Sequence, residues 1–332
     1  MFPRIVMFLL LIAFLGGCAV PSSITPPPMS PTIPALLPSA TSTPATSSLT
    51  ATTPQIFPEP TTDSPRPFVV RTAKADLWDD PQHEGEYWHL QTQLLLGEKV
   101  FVLQTKGDWA YIVAVEQPSH KHELGYPGWI RLEALATGWP SAREYAVVMT
   151  PFSLIRSTPN GERVMQVYLD TRLPVEAQQE NWVQVRLPDG GLGWLPRRDV
   201  RLTADPNLPI PTENFFWLAE TFIGTPYRWG GTTSATLDCS GFVYRLFHAH
   251  GFQMARDADD QARGGVPVSR SELRRGDLIF TAEVREGPIT HVAFYWGNGM
   301  ILDASSGRGV QLRPLSEHLA DHLWVTARSY LP

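Results

Sequence analysis

Cysteine is almost missing from this chain, with two in 332 residues, Cys18 and Cys239. Basic runs are missing as well. With a net charge of −6 there is no electrostatic footprint for nucleic acid, and nucleic acid is not expected as a partner. No Cys/His cluster has metal-ligand spacing: His248 and His250 are two apart on an expected helix and so point to different faces, while His120 and His122 sit in a polar insertion. Neither metal nor cofactor is expected. Charge of either sign is absent between Ile5 and Pro58. The apolar run inside that stretch, Ile5 to Leu15 after Arg4, is too short to span a bilayer comfortably but has the length of a signal-peptide core. From Ala19 to Pro67, thirteen of the 31 prolines fall among Ser and Thr. Such a segment buries too little to offset the entropy of ordering, and proline keeps it extended.

What is present at the N-terminus points to export. Gly16 and Gly17 followed by Cys18 resemble the bacterial lipobox. That resemblance implies a lipid-modified Cys18, a signal peptide over residues 1–17, and a tether over 18–67 holding the globular part away from a membrane surface. An ordinary secretory signal is the alternative. The expected location is the bacterial cell envelope, outside the cytoplasm, on an N-terminal lipid anchor. With Cys18 lipidated, Cys239 is the only free thiol and a disulfide framework is impossible. A lone thiol in an oxidising compartment is a liability unless it is buried or used.

The remaining chain, with 43% hydrophobic residues overall, can supply packed cores for two or three domains. Two related segments come first. Gly97 to Trp109 matches Asp170 to Trp182 in spacing, and a Gly-Trp strand follows each, at Trp129 and Trp194. Period-two alternation such as Trp182, Val183, Gln184, Val185, Arg186 between Gly and Asp turns predicts small β-barrels. They look like bacterial SH3-like domains over residues 68–137 and 145–203. The first copy carries a longer insertion, "EQPSHKHELGYP".

From residue 207 to 332 the pattern changes. Phe215, Phe216, Leu218, Ala219, Phe222 and Ile223 predict an amphipathic helix stopped by Gly224 and Pro226. A second helix is expected from Cys239, carrying Phe242, Val243, Leu246 and Phe247. Strands "HVAFYW" and "MILDAS" then flank Gly297, Asn298 and Gly299, and helices before an antiparallel sheet make an α+β order. At a helix start the Cys239 sulfur lies beside unpaired N–H groups, which favour thiolate and can also donate to an oxyanion. Asp238, or Ser240 in a shifted register, could cap that helix. A buried cysteine packed as a small hydrophobe fits the position equally well. His291 and Asp303 fall opposite or diagonally across the hairpin, close enough for the carboxylate to orient the imidazole, or simply to make a strand-edge salt bridge.

The motifs "DCSGFVYRLF", "RRGDLIF", "HVAFYWGNG" and "DASSGRGV" together resemble the NlpC/p60 family of cell-wall cysteine peptidases, in that family's order and spacing. The resemblance implies a papain-like catalytic domain after the two SH3-like barrels. It implies Cys239 as nucleophile, His291 as general base and Asp303 as the orienting residue; many members carry His at that third place. The substrate implied is the γ-D-glutamyl–diamino acid bond of peptidoglycan stem peptides or muropeptides. Members with SH3-like domains include some that act on peptides with a free N-terminal L-alanine, whose amine is held by an acid in a motif like "RDADDQ" and a tyrosine of the first barrel. The matching positions are Asp257 and Tyr126, with Tyr227 near the nucleophile, and Asp238 and Ser240 beside it as further substrate-binding candidates. A helix cap for Asp257 and a core aromatic for Tyr126 are the plainer readings. An amidase or acyltransferase using the same thiolate, or a non-catalytic wall-binding adaptor, are the alternative functions.

Overall fold

The two tryptophan repeats fold as two copies of one topology. In this computed structural model, residues 65–138 and 141–332 are described; the expected signal peptide, Cys18 and all but the end of the tether lie outside them. The first copy comprises β1 (Arg66–Val70), β2 (Lys74–Trp78), β3 (Leu90–Leu95), β4 (Lys99–Lys106), β5 (Trp109–Ala114), β6 (Tyr126–Arg131) and β7 (Leu135–Thr137). The second comprises β8 (Tyr145–Val148), β9 (Phe152–Arg156), β10 (Arg163–Tyr168), β11 (Arg172–Gln179), β12 (Trp182–Arg186), β13 (Leu192–Pro196) and β14 (Val200–Thr203). Strand order is β3-β2-β6-β5-β4-β1-β7 in one and β10-β9-β13-β12-β11-β8-β14 in the other, so each strand has a counterpart seven places on. The spacing match has a backbone cause: Gly97 and Asp170 open equivalent turns with φ of 87° and 74°. Glycine takes that left-handed conformation freely, and Asp is among the few other residues that tolerate it.

The third domain places α1 (Phe215–Glu220), the short ribbon β15 (Thr232–Thr233) and β16 (Thr236–Leu237), α2 (Cys239–Ala249) and α3 (Ala258–Gln261) before a sheet. The sheet contains β17 (Val266–Pro267), β18 (Leu278–Ala282), β19 (His291–Gly297), β20 (Met300–Ser305), β21 (Gly309–Pro314) and β22 (Leu323–Ser329), with α4 (Leu315–Asp321) between the last two. Its order is β17-β22-β18-β19-β20-β21, antiparallel throughout its registered pairs. The fold is α+β, with a largely antiparallel sheet covered by α2.

One helix expectation needs correction. α1 ends at Glu220, because Thr221 Oγ1 donates to the Leu218 carbonyl at 2.6 Å and the chain turns there; Ile223, expected on the core face, is exposed. α2 begins at Cys239 as expected, and all eleven of its residues are buried. Its apolar side packs on Phe280, Phe294 and Leu302 of the sheet. Its other side carries Arg245 and His248 into a buried charge cluster where the three domains meet.

In that cluster Arg245 Nη1 lies 2.8 Å from Glu98 Oε1 of the first barrel and 2.9 Å from Asp170 Oδ2 of the second. His248 Nδ1 is 2.5 Å from Asp170 Oδ2, and Arg172 Nε donates to Asp170 Oδ1 at 2.9 Å. Burying such charges is costly, and pairing roughly offsets the cost; removing one partner then destabilises by about 3–5 kcal/mol. The cluster therefore specifies how the domains join more than it adds net stability.

Candidate active site

Cys239 is the first residue of α2, and the residue before it fixes the helix start. Asp238 is the N-cap: its Oδ1 accepts from the Gly241 N–H at 2.6 Å, while Oδ2 accepts from the Gly230 N–H at 2.9 Å and from Arg256 Nη2 at 2.7 Å. Arg256 Nη1 also donates to the Ser240 hydroxyl at 2.9 Å, and that hydroxyl lies 3.3 Å from Asp238 Oδ1. Of the two residues expected as cap or substrate contact, Asp238 is the cap and its oxygens are already engaged. Ser240 stays at the cleft wall, held by Arg256.

His291 opens β19, and the turn at Asn298 and Gly299 (φ 52° and 73°) returns the chain as β20. These two left-handed residues make the tight turn that matches strand twist. Phe294 pairs with Leu302, and continuing that register puts Asp303 opposite Ala293, one diagonal step from His291 and on the same face. His291 Nε2 lies 2.8 Å from Asp303 Oδ2, which leaves the other ring nitrogen for the Cys239 sulfur, whose charge acts on the ring. Burial alone would depress the imidazole, but the charge on Cys239 and then the Asp303 hydrogen bond outweigh it and raise His291 to about 9. Burial would likewise raise the Asp303 carboxyl; the hydrogen bonds from His291 and Arg313 instead hold it well below the usual carboxylate range.

Sequence reasoning missed Arg313. Its Nε donates to Asp303 Oδ1 at 3.1 Å, and its Nη2 reaches Asp303 Oδ2 at 2.6 Å, Ser305 Oγ at 3.0 Å and His318 Nδ1 at 2.9 Å. Because His318 Nδ1 accepts there, its Nε2 carries the proton toward Thr281 Oγ1, 2.9 Å away. Burial and then the positive charge of His291 lower His318 to about 3, so it remains neutral.

Cys239 and His291 open into a cleft of about 650 Å³ walled by the catalytic domain and the first barrel, while Asp303 stays behind them. Trp88 and Trp229 meet edge-on across it with ring centroids 5.5 Å apart. Tyr227 lines the floor; burial, followed by the nearby charges of Cys239 and Asp238, pushes its phenol upward, so it stays a donor at neutral pH. Asp257 stands at the N-cap of α3 but makes no cap hydrogen bond. Its carboxylate instead accepts from the Tyr126 hydroxyl at 3.0 Å. Tyr126 has its ring in the core of the first barrel and its hydroxyl at the cleft, combining the two readings of that residue. The first-barrel insertion makes this meeting possible. His120 of that loop bonds Asp260 of α3 through its backbone N–H (3.0 Å) and Nδ1 (2.9 Å), and Arg256 N donates to the Pro118 carbonyl at 3.0 Å.

Among the described residues, three groups bring metal-type ligand atoms within 4.8 Å of one another: Asp79 with His83 and His89, His120 with Asp259 and Asp260, and His291 with Asp303 and His318. None was visible as sequence spacing. In the last, both His318 nitrogens are engaged by Arg313 and Thr281.

Comparison with known proteins agrees with this geometry. The NlpC/P60 family profile matches residues 224–329, and a YkfC second SH3b domain profile matches residues 148–202. A γ-D-glutamyl-L-lysine dipeptidyl-peptidase of Bacillus cereus is 33% identical over 289 residues, covering 81% of this chain and 87% of that protein. The Bacillus subtilis protein of the same name is 33% identical over 235 residues, 69% of this chain and 77% of its own. A solved NlpC/P60 structure from Bacillus cereus superposes with a TM-score of 0.73 at 28% identity, covering 80% of this chain and all of that one. With a buried Cys–His–Asp constellation on the matched domain and relatives of this similarity along most of its length, the chain belongs to the NlpC/P60 family of cysteine peptidases.

Proposed function

We propose that this enzyme hydrolyses the γ-D-glutamyl–diamino acid bond of peptidoglycan stem peptides bearing a free N-terminal L-alanine. The Cys239 sulfur attacks the γ-carbonyl carbon, the oxyanion takes hydrogen bonds at the start of α2 and from the protonated Tyr227, and His291 gives its proton to the leaving amine. The resulting thioester is hydrolysed by a water that His291 deprotonates, and Asp303 keeps the ring oriented through both steps.

The observation that carries the substrate reading is the chemistry of the cleft wall where Asp257 and the Tyr126 hydroxyl meet beside Ala258. A carboxylate and a phenol oxygen together suit an ammonium group. Ser240, whose hydroxyl accepts from Arg256, lines the same cleft and suits the free α-carboxylate that a γ-linked glutamate retains. Glu283 and Asp321, which also line the cleft, suit the side-chain amine of a diamino acid. The activity named for both Bacillus relatives supports the same assignment. Cys18 would tether the enzyme at the envelope surface; loss of lipid labelling in Cys18→Ser tests that.

The decisive assay uses L-Ala-γ-D-Glu-L-Lys, its N-acetyl form and intact sacculi. Wild-type enzyme is expected to cut the free peptide and Cys239→Ala to be inert, its rate lowered by at least about 10³-fold as expected for loss of a nucleophile. Equal turnover of the acetylated peptide and of sacculi would remove the free-amine requirement.

A further inference from the structure

The amine-binding end of the cleft already contains an amine. Lys121, carried by the first-barrel insertion, places its Nζ 2.9 Å from Asp257 Oδ2, in close hydrogen-bond contact with the Tyr126 hydroxyl, and 4.3 Å from the centre of the Tyr126 ring. We propose that Lys121 is an internal competitor for the substrate's N-terminal ammonium, a specificity-determining residue that the peptide must displace on binding. The proposal rests on the free-amine reading above and adds to it the occupant of the site.

The geometry supports exchange rather than permanent closure. Tyr126 donates its proton to Asp257 and so turns an oxygen lone pair outward, toward the ammonium. The same two oxygens that hold Nζ would hold an α-ammonium, so the two amines cannot bind together. Lys121 is reached from solvent, with its side chain 35% exposed, and its remaining polar contact, Gln91 Oε1 at 3.5 Å, is marginal. The four-carbon stem can therefore swing away without unpacking the core. While seated, the lysine neutralises Asp257 and holds the tyrosine–aspartate pair in its binding geometry. A tethered competitor acts at a fixed effective concentration. It penalises every amine ligand by the same factor, which a peptide with further contacts at Ser240 and the sulfur overcomes and a simple amine does not.

The test compares wild type, Lys121→Met and Lys121→Arg on L-Ala-γ-D-Glu-L-Lys and on its N-acetyl form. Lys121→Met is expected to lower KM for the free peptide by ~5-fold, the worth of a part-exposed ion pair with a cation–π contact, with the gain in KM rather than kcat. The acetylated peptide should not gain, and Lys121→Arg should stay near wild type. An unchanged or raised KM for the free peptide in Lys121→Met, with the melting temperature preserved, overturns the competitor role. Failure of the underlying reading looks different: wild type would cut both peptides alike, and Asp257→Asn would change neither KM.

Discussion

Asp303 holds the place that the sequence resemblance gives to the orienting residue, and its surroundings show what a carboxylate requires there. A buried carboxylate facing only an imidazole would compete with the sulfur for the proton. Arg313, Ser305 and His291 together supply donors to its oxygens, so the negative charge is shared and Asp303 stays ionised. The imidazolium is then held from both sides, by the sulfur and by the acid, and persists to about pH 9. For a histidine whose folded value is raised, the charged form is fully present below the ordinary value near 6.5 and is lost as pH rises through the raised one. Accordingly, kcat/KM should fall on an alkaline limb near pH 9. Asp303→Asn removes one of the two raising influences, so the limb should move toward neutral pH and kcat/KM drop by roughly 10–100-fold, the worth of a charge-assisted hydrogen bond. Full pH profiles of both proteins, with the rate of Cys239 alkylation as a substrate-free readout, check this; an unmoved limb would show that Asp303 only packs against the ring.

The helix that begins at Cys239 illustrates what sequence reveals about an element and what it conceals. The run Phe242, Val243, Leu246 and Phe247 announced a helix, and the acid before Cys239 was one of two possible caps. The hairpin was legible too, because Gly297, Asn298 and Gly299 fix where it turns and parity then fixes that His291 and Asp303 share a face. The reason for Gly241 was not legible. A Cβ there would lie 2.1 Å from the Gly231 carbonyl oxygen and 2.9 Å from Asp238 Oδ1, so the helix start is pressed against the glycine-rich loop that precedes it. That contact is long-range in geometry although short in sequence, and no periodicity encodes it. Gly241→Ala must push α2 off the loop and disturb the Asp238 cap. We expect a loss of about 3 kcal/mol in stability, the upper part of the range for overpacking, together with loss of activity because Cys239 moves with its helix. Chemical denaturation of the variant measures the first, and thiol alkylation of its folded fraction the second. Arg256 and Lys121 escaped notice for a related reason: one reads as a charge in a polar loop and the other as part of an insertion, until the fold sets Arg256 against Asp238 and Lys121 against Asp257.

For the whole molecule, the two barrels serve the cleft in different ways. The first supplies part of the wall, with Trp88, Gln91, Lys121 and Tyr126. The second contributes no residue to that lining but reaches the catalytic helix through Asp170, whose left-handed turn delivers a fully buried carboxylate to Arg245 and His248 on the back of α2. Repeat spacing exposed the duplication; it could not show that position 170, aligned with a glycine in the first copy, had become the anchor. Burial would raise the Asp170 carboxyl, but the charges of Arg172 and then His248 outweigh it and hold it far below its ordinary value. A lowered acid contributes stability above its unfolded value near 3.9 and loses that contribution as pH falls below it. Wild-type unfolding free energy should therefore decline on acidification below about pH 4. Asp170→Asn leaves Arg172 and Arg245 with less than their compensation, and should cost about 3–5 kcal/mol at pH 7 while flattening the acid decline. Guanidinium denaturation of both proteins at pH 7 and pH 3 makes the comparison. A variant as stable as wild type at pH 7 would mean that Glu98 alone compensates Arg245, and that the second barrel is held to the enzyme by apolar packing rather than by this charge.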